Sequence, residues 1–485
     1  MKLYSYLDVL DVLGNNVNNF NIEISGVSSR SSEVSKGYVF VCIKGMHTTG
    51  NKYIAEAVKN GAVLLITEEI DASVVQSGIP YIKVPNARIA LARLCARFYG
   101  NPEGQLCIKA VTGTNGKTST VQILSEIYTQ ANIKNRRIGT LSGSLTTPDP
   151  EELFREFKYA FDNGYTHIIM EASSHALALE KLHGIDFDGA IFTNLTPDHL
   201  DFHSCMADYA LSKSKLFCQS KYGLYNADDE YGTILCEKGK GKKYYYSARD
   251  KKADFFADNI KYKGNSGIEY DLVYEGGIIH IESGLVGIFN VYNTLSAISM
   301  ALVDGIEPEI ITDAVKSISG VSGRLEKLDL GSIDFSVYID YAHTPDALEK
   351  LLETVRGFRN KGQKITLLFG CGGDRDKSKR SLMGKIASSL ADFVIITSDN
   401  VRTEEPSCII SDIMKGIDKE RPHIVIEDRK TAIEYAVNNA VKDEIILLAG
   451  KGHENYEIVG KEKYDFNEKE ITAKAVRERF KKYDH

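Results

Sequence analysis

Short apolar runs rich in valine and isoleucine alternate along this chain with longer segments of helical period. That alternation restricts the fold more than any other feature. A parallel strand buried on both faces reads as a continuous apolar run, and its return needs a crossover, usually a helix. The pattern predicts an α/β architecture with mostly parallel sheets. At about 150 residues per domain, 485 residues leave room for roughly three domains.

Three stretches differ in character. Residues 1–97 carry Tyr38-Val39-Phe40-Val41-Cys42-Ile43, a helical segment and Ala62-Val63-Leu64-Leu65-Ile66, and close in a helix around 91–99. Residues 98–326 open with Ile108-Lys109-Ala110-Val111-Thr112 and a glycine-rich loop, followed by strands expected at 167–170 and 190–193 and short strands with glycine turns over 240–290. Residues 327–485 hold strands expected at 364–369, 393–397 and 445–449.

Composition narrows the classes. Apolar residues make up 43% and charged residues 26%, the balance of a globular protein. The net charge is -7 with no basic block, which argues against nucleic acid as a partner, so any phosphate group must be met by local charge. No run approaches the ~18 apolar residues of a membrane span, and Met1-Lys2-Leu3-Tyr4-Ser5-Tyr6-Leu7-Asp8 lacks the apolar centre of a signal peptide. Eight cysteines stand singly and read as reduced apolar fillers. A cytoplasmic protein, a monomer without membrane insertion, is expected.

Between a valine-rich strand and a helix over 121–130 lies Thr112-Gly113-Thr114-Asn115-Gly116-Lys117-Thr118-Ser119. Glycines let backbone N–H groups turn toward an anion, the helix start adds positive potential, and Lys117 reaches terminal phosphates. Thr118 offers a hydroxyl for Mg²⁺. The first glycine of the full phosphate-loop pattern is replaced by Val111.

Two further blocks fall at strand ends, where ligands of open parallel sheets bind. Glu171-Ala172-Ser173-Ser174-His175 would turn Glu171 toward the loop, although alone it reads as a solvated acid. In the second, Asp198-His199-Leu200-Asp201-Phe202-His203 concentrates histidines in a chain that has only 11. Lys213 lies on an apparently ordinary amphipathic helix, and spacing alone gives it a surface role.

In this order the blocks resemble the Mur ligase family. Further matching blocks are Phe289-Asn290-Val291-Tyr292-Asn293, Gly323-Arg324-Leu325-Glu326, Asp340-Tyr341-Ala342-His343-Thr344-Pro345-Asp346-Ala347-Leu348, Gly370-Cys371-Gly372-Gly373-Asp374-Arg375-Asp376 and Gly450-Lys451-Gly452-His453-Glu454, so the resemblance spans essentially the whole chain. It implies an N-terminal UDP-substrate domain (1–97), a central phosphate-loop ATPase domain (98–326) and a Rossmann-like C-terminal domain that binds the incoming amino acid (327–485). The implied reaction is ATP-dependent amide ligation in peptidoglycan precursor synthesis: the carboxylate of UDP-MurNAc-L-Ala-D-Glu attacks the γ-phosphate of ATP, and an amine attacks the resulting acyl phosphate.

The resemblance also implies roles by position. The phosphate loop (Gly113, Thr114, Asn115, Gly116, Lys117, Thr118, Ser119) with Asn290, Asn293, Arg324 and Asp340 would bind ATP. Thr118 and Glu171 would hold one Mg²⁺ and His199 another, with Lys213 carbamylated into a carboxylate-like ligand, which reverses the surface reading. Ser29, Arg30, Thr146, Thr147, Ser173 and Lys181 would hold the UDP-substrate. Ser28 replaces the usual acid before Ser29, and Lys181 replaces a frequent arginine, giving a point charge instead of a planar fork. Arg375, Asn400, Arg402, Gly450 and Glu454 would bind the amino acid.

Asp399-Asn400-Val401-Arg402 bears on which amino acid is added. Similar enzymes that add meso-diaminopimelate usually read Asp-Asn-Pro-Arg, and the lysine-adding ones usually lack the arginine. A guanidinium binds the second carboxylate of diaminopimelate bidentately, whereas lysine ends in a bare amine. The expectation is meso-diaminopimelate. A ligase adding L-lysine or another diamine, and a non-catalytic nucleotide-binding protein on the same scaffold, are the alternatives. Arg402 paired on the surface with Glu404 or Glu405 is the non-functional reading of that residue.

Overall fold

Each apolar run becomes a strand because a sheet interior satisfies its backbone N–H and C=O groups while hiding its side chains. The computed structural model describes residues 23–45, 48–141, 145–264, 267–318 and 320–481. The segment Met1 to Asp8 lies outside these residues. Three main sheets form, and the strands are mostly parallel, as the alternation predicts. The first consists of Gly26–Ser28, Tyr38–Val41, Ala62–Thr67 and Tyr81–Lys83, parallel and in sequence order.

The second sheet has nine strands. From one edge they run Asn135–Ile138, His167–Glu171, Cys107–Thr112, Gly189–Phe192, Tyr222–Asn226, Lys242–Ser247 and Phe255–Tyr262, each parallel to its neighbour. Ile268–Tyr274 and Gly277–Ser283 complete it as an antiparallel meander. The chain leaves Cys107–Thr112 toward one edge, returns through His167–Glu171, and resumes on the other side at Gly189–Phe192. This reversal opens a crevice at the carboxyl ends of the central strands, the place where such sheets bind ligands. Helix Lys117–Gln130 packs its Val121, Leu124 and Tyr128 face into a core shared with Val291, Leu295 and Ile298 of helix Ile288–Val303.

The third sheet orders Glu326–Lys327, Ser336–Asp340, Ile445–Ala449, Ile365–Phe369, Phe393–Ile396 and His423–Val425, with only the first pair antiparallel. A hairpin of Tyr456–Val459 and Glu462–Asp465 and the helix Glu468–Lys481 follow. Cys42, Cys95, Cys236 and Cys371 are buried, as fillers should be, but Cys205 and Cys408 are exposed. Among the described residues no helix is long and apolar enough to cross a membrane.

Candidate functional site

The loop after Cys107–Thr112 works only with glycine at two positions. Gly113 has φ +154°, and a Cβ there would lie 1.9 Å from Thr193 Oγ1. Gly116 has φ +88°, and a Cβ there would lie 2.5 Å from Asn293 Oδ1. The loop is thereby pressed against its neighbours. Thr114 N–H donates to Asn194 O (2.9 Å), Asn115 N–H to Asn194 Oδ1 (2.9 Å), and Thr114 Oγ1 to Thr196 O (3.2 Å). Lys117 opens the helix and folds back over the loop, donating to Gly113 O (2.8 Å) and Thr114 O (2.9 Å). Burial lowers its pKa. Ser119 is buried in the first turn.

Glu171, last residue of the adjacent strand, is 1% exposed, so it is not the solvated acid its position alone suggests. Thr118 Oγ1 donates to both carboxylate oxygens at 3.1 Å, and Thr140 adds its N–H (2.9 Å) and Oγ1 (3.1 Å). Arg324 Nη2 reaches Thr118 Oγ1 at 3.1 Å. This buried hydroxyl–carboxylate pair beside a lysine and an arginine is a donor set of hard oxygens, which suits Mg²⁺.

After Gly189–Phe192 the histidine-rich block turns sharply. His199 has φ +56°, and its Nε2 lies 3.3 Å from Asp198 Oδ2. Its ring meets His175 edge-on at 4.8 Å, and His175 packs on Phe202 at 4.1 Å. Burial lowers the pKa of the His199 imidazole against the opposing charge of Asp198, which favours the neutral ring, the form able to ligate a metal. His203 Nε2 instead bonds Ser174 Oγ at 2.9 Å and stacks on Tyr209, which makes it structural.

Lys213 corrects the surface role read from its spacing. Helix Met206–Cys218 turns it inward, 1% exposed, with Nζ 4.5 Å from the Tyr209 ring centre. Burial, reinforced by the charge of Lys117, holds its pKa well below the usual value. An amine so depressed is the form that reacts with CO₂ to give a carbamate and a proton.

Asn290 and Asn293 are buried at the start of helix Ile288–Val303, Asn293 donating to Asn290 Oδ1 at 3.0 Å. Asp340, at a strand end of the third sheet, accepts from Leu325 N (2.6 Å) and Ala342 N (2.7 Å), which fixes the backbone beside Arg324. The Arg324 guanidinium covers the Tyr341 ring at 4.5 Å.

The expected UDP-substrate residues form a separate group. Arg30 and Lys181 converge on Asp149 at 2.5 and 2.7 Å, and Ser29 donates through its N–H (2.8 Å) and Oγ (2.7 Å) to Glu151. Thr147 Oγ1 donates to Glu171 O (2.8 Å) and accepts from Ser173 N (3.0 Å), while Thr146 accepts from Thr140 Oγ1. Thr147 therefore bonds the backbone of Glu171 and links it to Ser173, while Ser29, Arg30 and Lys181 cluster around Asp149 and Glu151.

The third group lies on the C-terminal sheet. Asn400 Nδ2 donates to Glu454 Oε2 at 2.9 Å, and burial raises the Glu454 carboxyl. Gly450 has φ +116° and passes close to Asp399, where a Cβ would meet Oδ2 at 2.5 Å. Arg375 bonds Asp374 O at 3.1 Å. Arg402 does not pair with Glu404 or Glu405. Its Nη1 donates to Gly373 O at 2.8 Å, and Glu404 belongs to Arg380. Thr140, Tyr341 and Arg380 were given no role from the sequence. The main partners of Thr140 and Arg380, Glu171 and Glu404, lie 31 and 24 residues away, and Tyr341 meets Arg324 from another element.

The chain matches known proteins along most of its length. The Mur ligase family catalytic domain matches residues 23–99, the Mur ligase middle domain 111–301, and the Mur ligase glutamate ligase domain 323–452. The UDP-N-acetylmuramoyl-L-alanyl-D-glutamate--2,6-diaminopimelate ligase of Caldanaerobacter subterraneus subsp. tengcongensis is 42% identical over 471 residues, 95% of this chain and 96% of its own. The enzyme of that name from Clostridioides difficile is 43% identical over 493 residues, 98% and 99% of the two chains. A solved structure bearing the same ligase name superposes with TM-score 0.68 at 29% identity, covering 99% of this chain and 100% of that one.

Proposed function

We propose that this chain, which belongs to the Mur ligase family, is the ATP-dependent ligase that joins meso-diaminopimelate to the D-glutamate of UDP-MurNAc-L-Ala-D-Glu in peptidoglycan precursor synthesis. The observation that carries this reading is the convergence of Lys117, Thr118, Glu171 and Arg324 at the strand ends beside the glycine loop. A carboxylate cannot approach a triphosphate unless the repulsion is offset. Lys117 supplies an ammonium that the loop carbonyls hold in place, and Arg324 supplies a guanidinium fixed over Tyr341.

In the proposed reaction the substrate carboxylate attacks the γ-phosphate, giving an acyl phosphate and ADP. The amine of diaminopimelate then attacks the acyl carbon, phosphate leaves, and a proton is released. Thr118 and Glu171 would hold one Mg²⁺, with His199 and carbamylated Lys213 at a second. Bound there, Mg²⁺ neutralises charge between carboxylate and triphosphate. Asn290, Asn293 and Asp340 would contact the nucleotide's base and ribose. Residues 1–97, with Arg30 and Lys181, would hold the UDP-substrate, residues 98–326 ATP, and residues 327–485 the incoming amino acid. There Arg402 and Arg375 would meet carboxylates, and Glu454 with Asn400 the far ammonium.

The test is ATP-dependent phosphate release with UDP-MurNAc-L-Ala-D-Glu, Mg²⁺ and one candidate amine at a time. Turnover with meso-diaminopimelate and not L-lysine is expected, and Lys117→Ala should lower it by about 10³-fold. Turnover with L-lysine would keep the ligase and overturn the substrate. Equal rates for wild type and Lys117→Ala would remove catalysis from this loop.

A further inference from the structure

The two arginines proposed to meet the incoming amino acid stand on neighbouring loops, residues 370–376 and 397–405, which follow the paired strands Ile365–Phe369 and Phe393–Ile396. Neither loop is relaxed. Asp374 has φ +53° and Arg402 φ +51°, left-handed conformations that cost a non-glycine residue strain and persist only when surroundings enforce them. The usual proline before that arginine would restrict the second loop by itself. Here Val401 has no fixed φ, so the restraint has to come from elsewhere.

It comes from beneath. Arg380, in helix Ser378–Leu390, is 0% exposed. Its Nη2 donates to Glu404 Oε1 at 2.9 Å and its Nη1 to Glu404 Oε2 at 3.0 Å, the two-pronged geometry of a guanidinium on a carboxylate. The same group reaches Asp412 Oδ2 at 3.0 Å and Gly372 O at 3.3 Å. Glu404 Oε1 also accepts the N–H of Asp374 at 2.7 Å. One planar cation is thus fastened to both loops. Hydrogen bonding to Arg380 keeps the Glu404 carboxyl down at about 2, so the pair is charged at any working pH.

The fastening leads to Arg402. Gly373 N–H donates to Asn400 O at 2.9 Å, and Thr403 Oγ1 to Asp374 Oδ1 at 2.8 Å, so the loops are laced along their length. Arg402 Nη1 then takes Gly373 O at 2.8 Å, passing so close to Gly372 that a Cβ there would lie 2.9 Å away. Val401 is buried in the same core. The direction of the Arg402 guanidinium is therefore set by a loop that Arg380 holds in place.

We propose that the buried Arg380–Glu404 pair is the positioning element that aims Arg402 at the far carboxylate of the incoming diamino diacid, and so sets its selection over a diamine that lacks that carboxylate. This rests on the substrate reading above. Neither residue touches substrate. Both act through Arg402.

The test compares Glu404→Gln and Arg380→Lys with wild type, each also in an Arg402→Ala background. Measured are KM and kcat for meso-diaminopimelate, KM for ATP and the thermal midpoint. Glu404→Gln should raise KM for meso-diaminopimelate roughly ten- to hundredfold, as a displaced binding group does, while KM for ATP and kcat at saturation stay within about twofold. In the Arg402→Ala background it should add nothing, because the group it positions is gone. Arg380→Lys, keeping charge but not the fork, should fall between. An unmoved KM in Glu404→Gln, an equal rise in KM for ATP, or an undiminished effect without Arg402 would each overturn the inference. Wild-type turnover with L-lysine alone would overturn the substrate reading and this inference together, whereas the other failures leave the substrate reading intact.

Discussion

Holding a lysine ammonium out of water is costly, and at 1% exposure Lys213 bears that cost with Lys117 adding to it and the carboxylate of Asp198 offsetting it only in part. The neutral amine is favoured, and the proposed carbamylation would convert it into an anion that a neighbouring cation would welcome. Lys213→Ala should therefore reduce phosphate release by about a hundredfold, with part of the rate returned by formate or acetate. Unchanged activity without additive would take Lys213 out of the proposed metal site. Arg402 makes the complementary case. Arg402→Ala should raise KM for meso-diaminopimelate and leave KM for ATP alone, and an unaltered KM for the diamino diacid would end its assignment. Residue types at these positions were legible in the sequence through the resemblance, since spacing alone gave Lys213 only a surface role. Their environment was not. Helical spacing places Lys213 on an ordinary amphipathic face, and only packing against Tyr209 shows which way the helix is turned. Thr140, which gives Glu171 two hydrogen bonds, carries no local signal at all.

Among the elements, strands were the most readable. The runs expected at 167–170, 190–193 and 445–449 appear as His167–Glu171, Gly189–Phe192 and Ile445–Ala449, since a run of β-branched residues between helical segments has few other uses. Helix starts were less so: the helix expected over 121–130 begins at Lys117, because the glycine turn delivers the chain directly into its first turn. Helix Glu468–Lys481 is held at its start by a buried ion pair. Arg429 Nε donates to Glu468 Oε1 at 2.8 Å with both side chains 1% exposed, and its Nη2 donates to Ala449 O at 2.8 Å. Removing one partner of such a pair leaves an uncompensated buried charge. Glu468→Ala should cost about 3–5 kcal/mol and lower the thermal midpoint by several degrees. A midpoint within about one degree of wild type would show that the helix is held by its apolar face alone.

At the scale of the whole molecule, contacts between the second and third sheets meet at the phosphate loop. Asp346, in the first turn of helix Pro345–Phe358, accepts from Asn115 Nδ2 at 2.9 Å and from Thr196 Oγ1 at 3.4 Å, while Arg324 joins Thr118 from the same side. These bonds tie the orientation of the C-terminal sheet to the nucleotide loop. Asp346→Ala should lower kcat roughly tenfold and expand the radius of gyration seen by X-ray scattering, with the thermal midpoint little changed. Scattering curves that superpose on wild type would refute the latch. By itself the sequence determined the α/β class and the order of the blocks, because hydrophobic period and glycine turns are local properties of the chain, while the residue types of the candidate site came mostly through the resemblance. Only the tertiary structure decided that Glu171 is buried against Thr118 and Thr140, that Arg402 is free of Glu404 and that Asp346 meets the phosphate loop. Each of these depends on segments far apart in sequence being packed together, and the strength of a charge or hydrogen bond is set by the water that such packing removes.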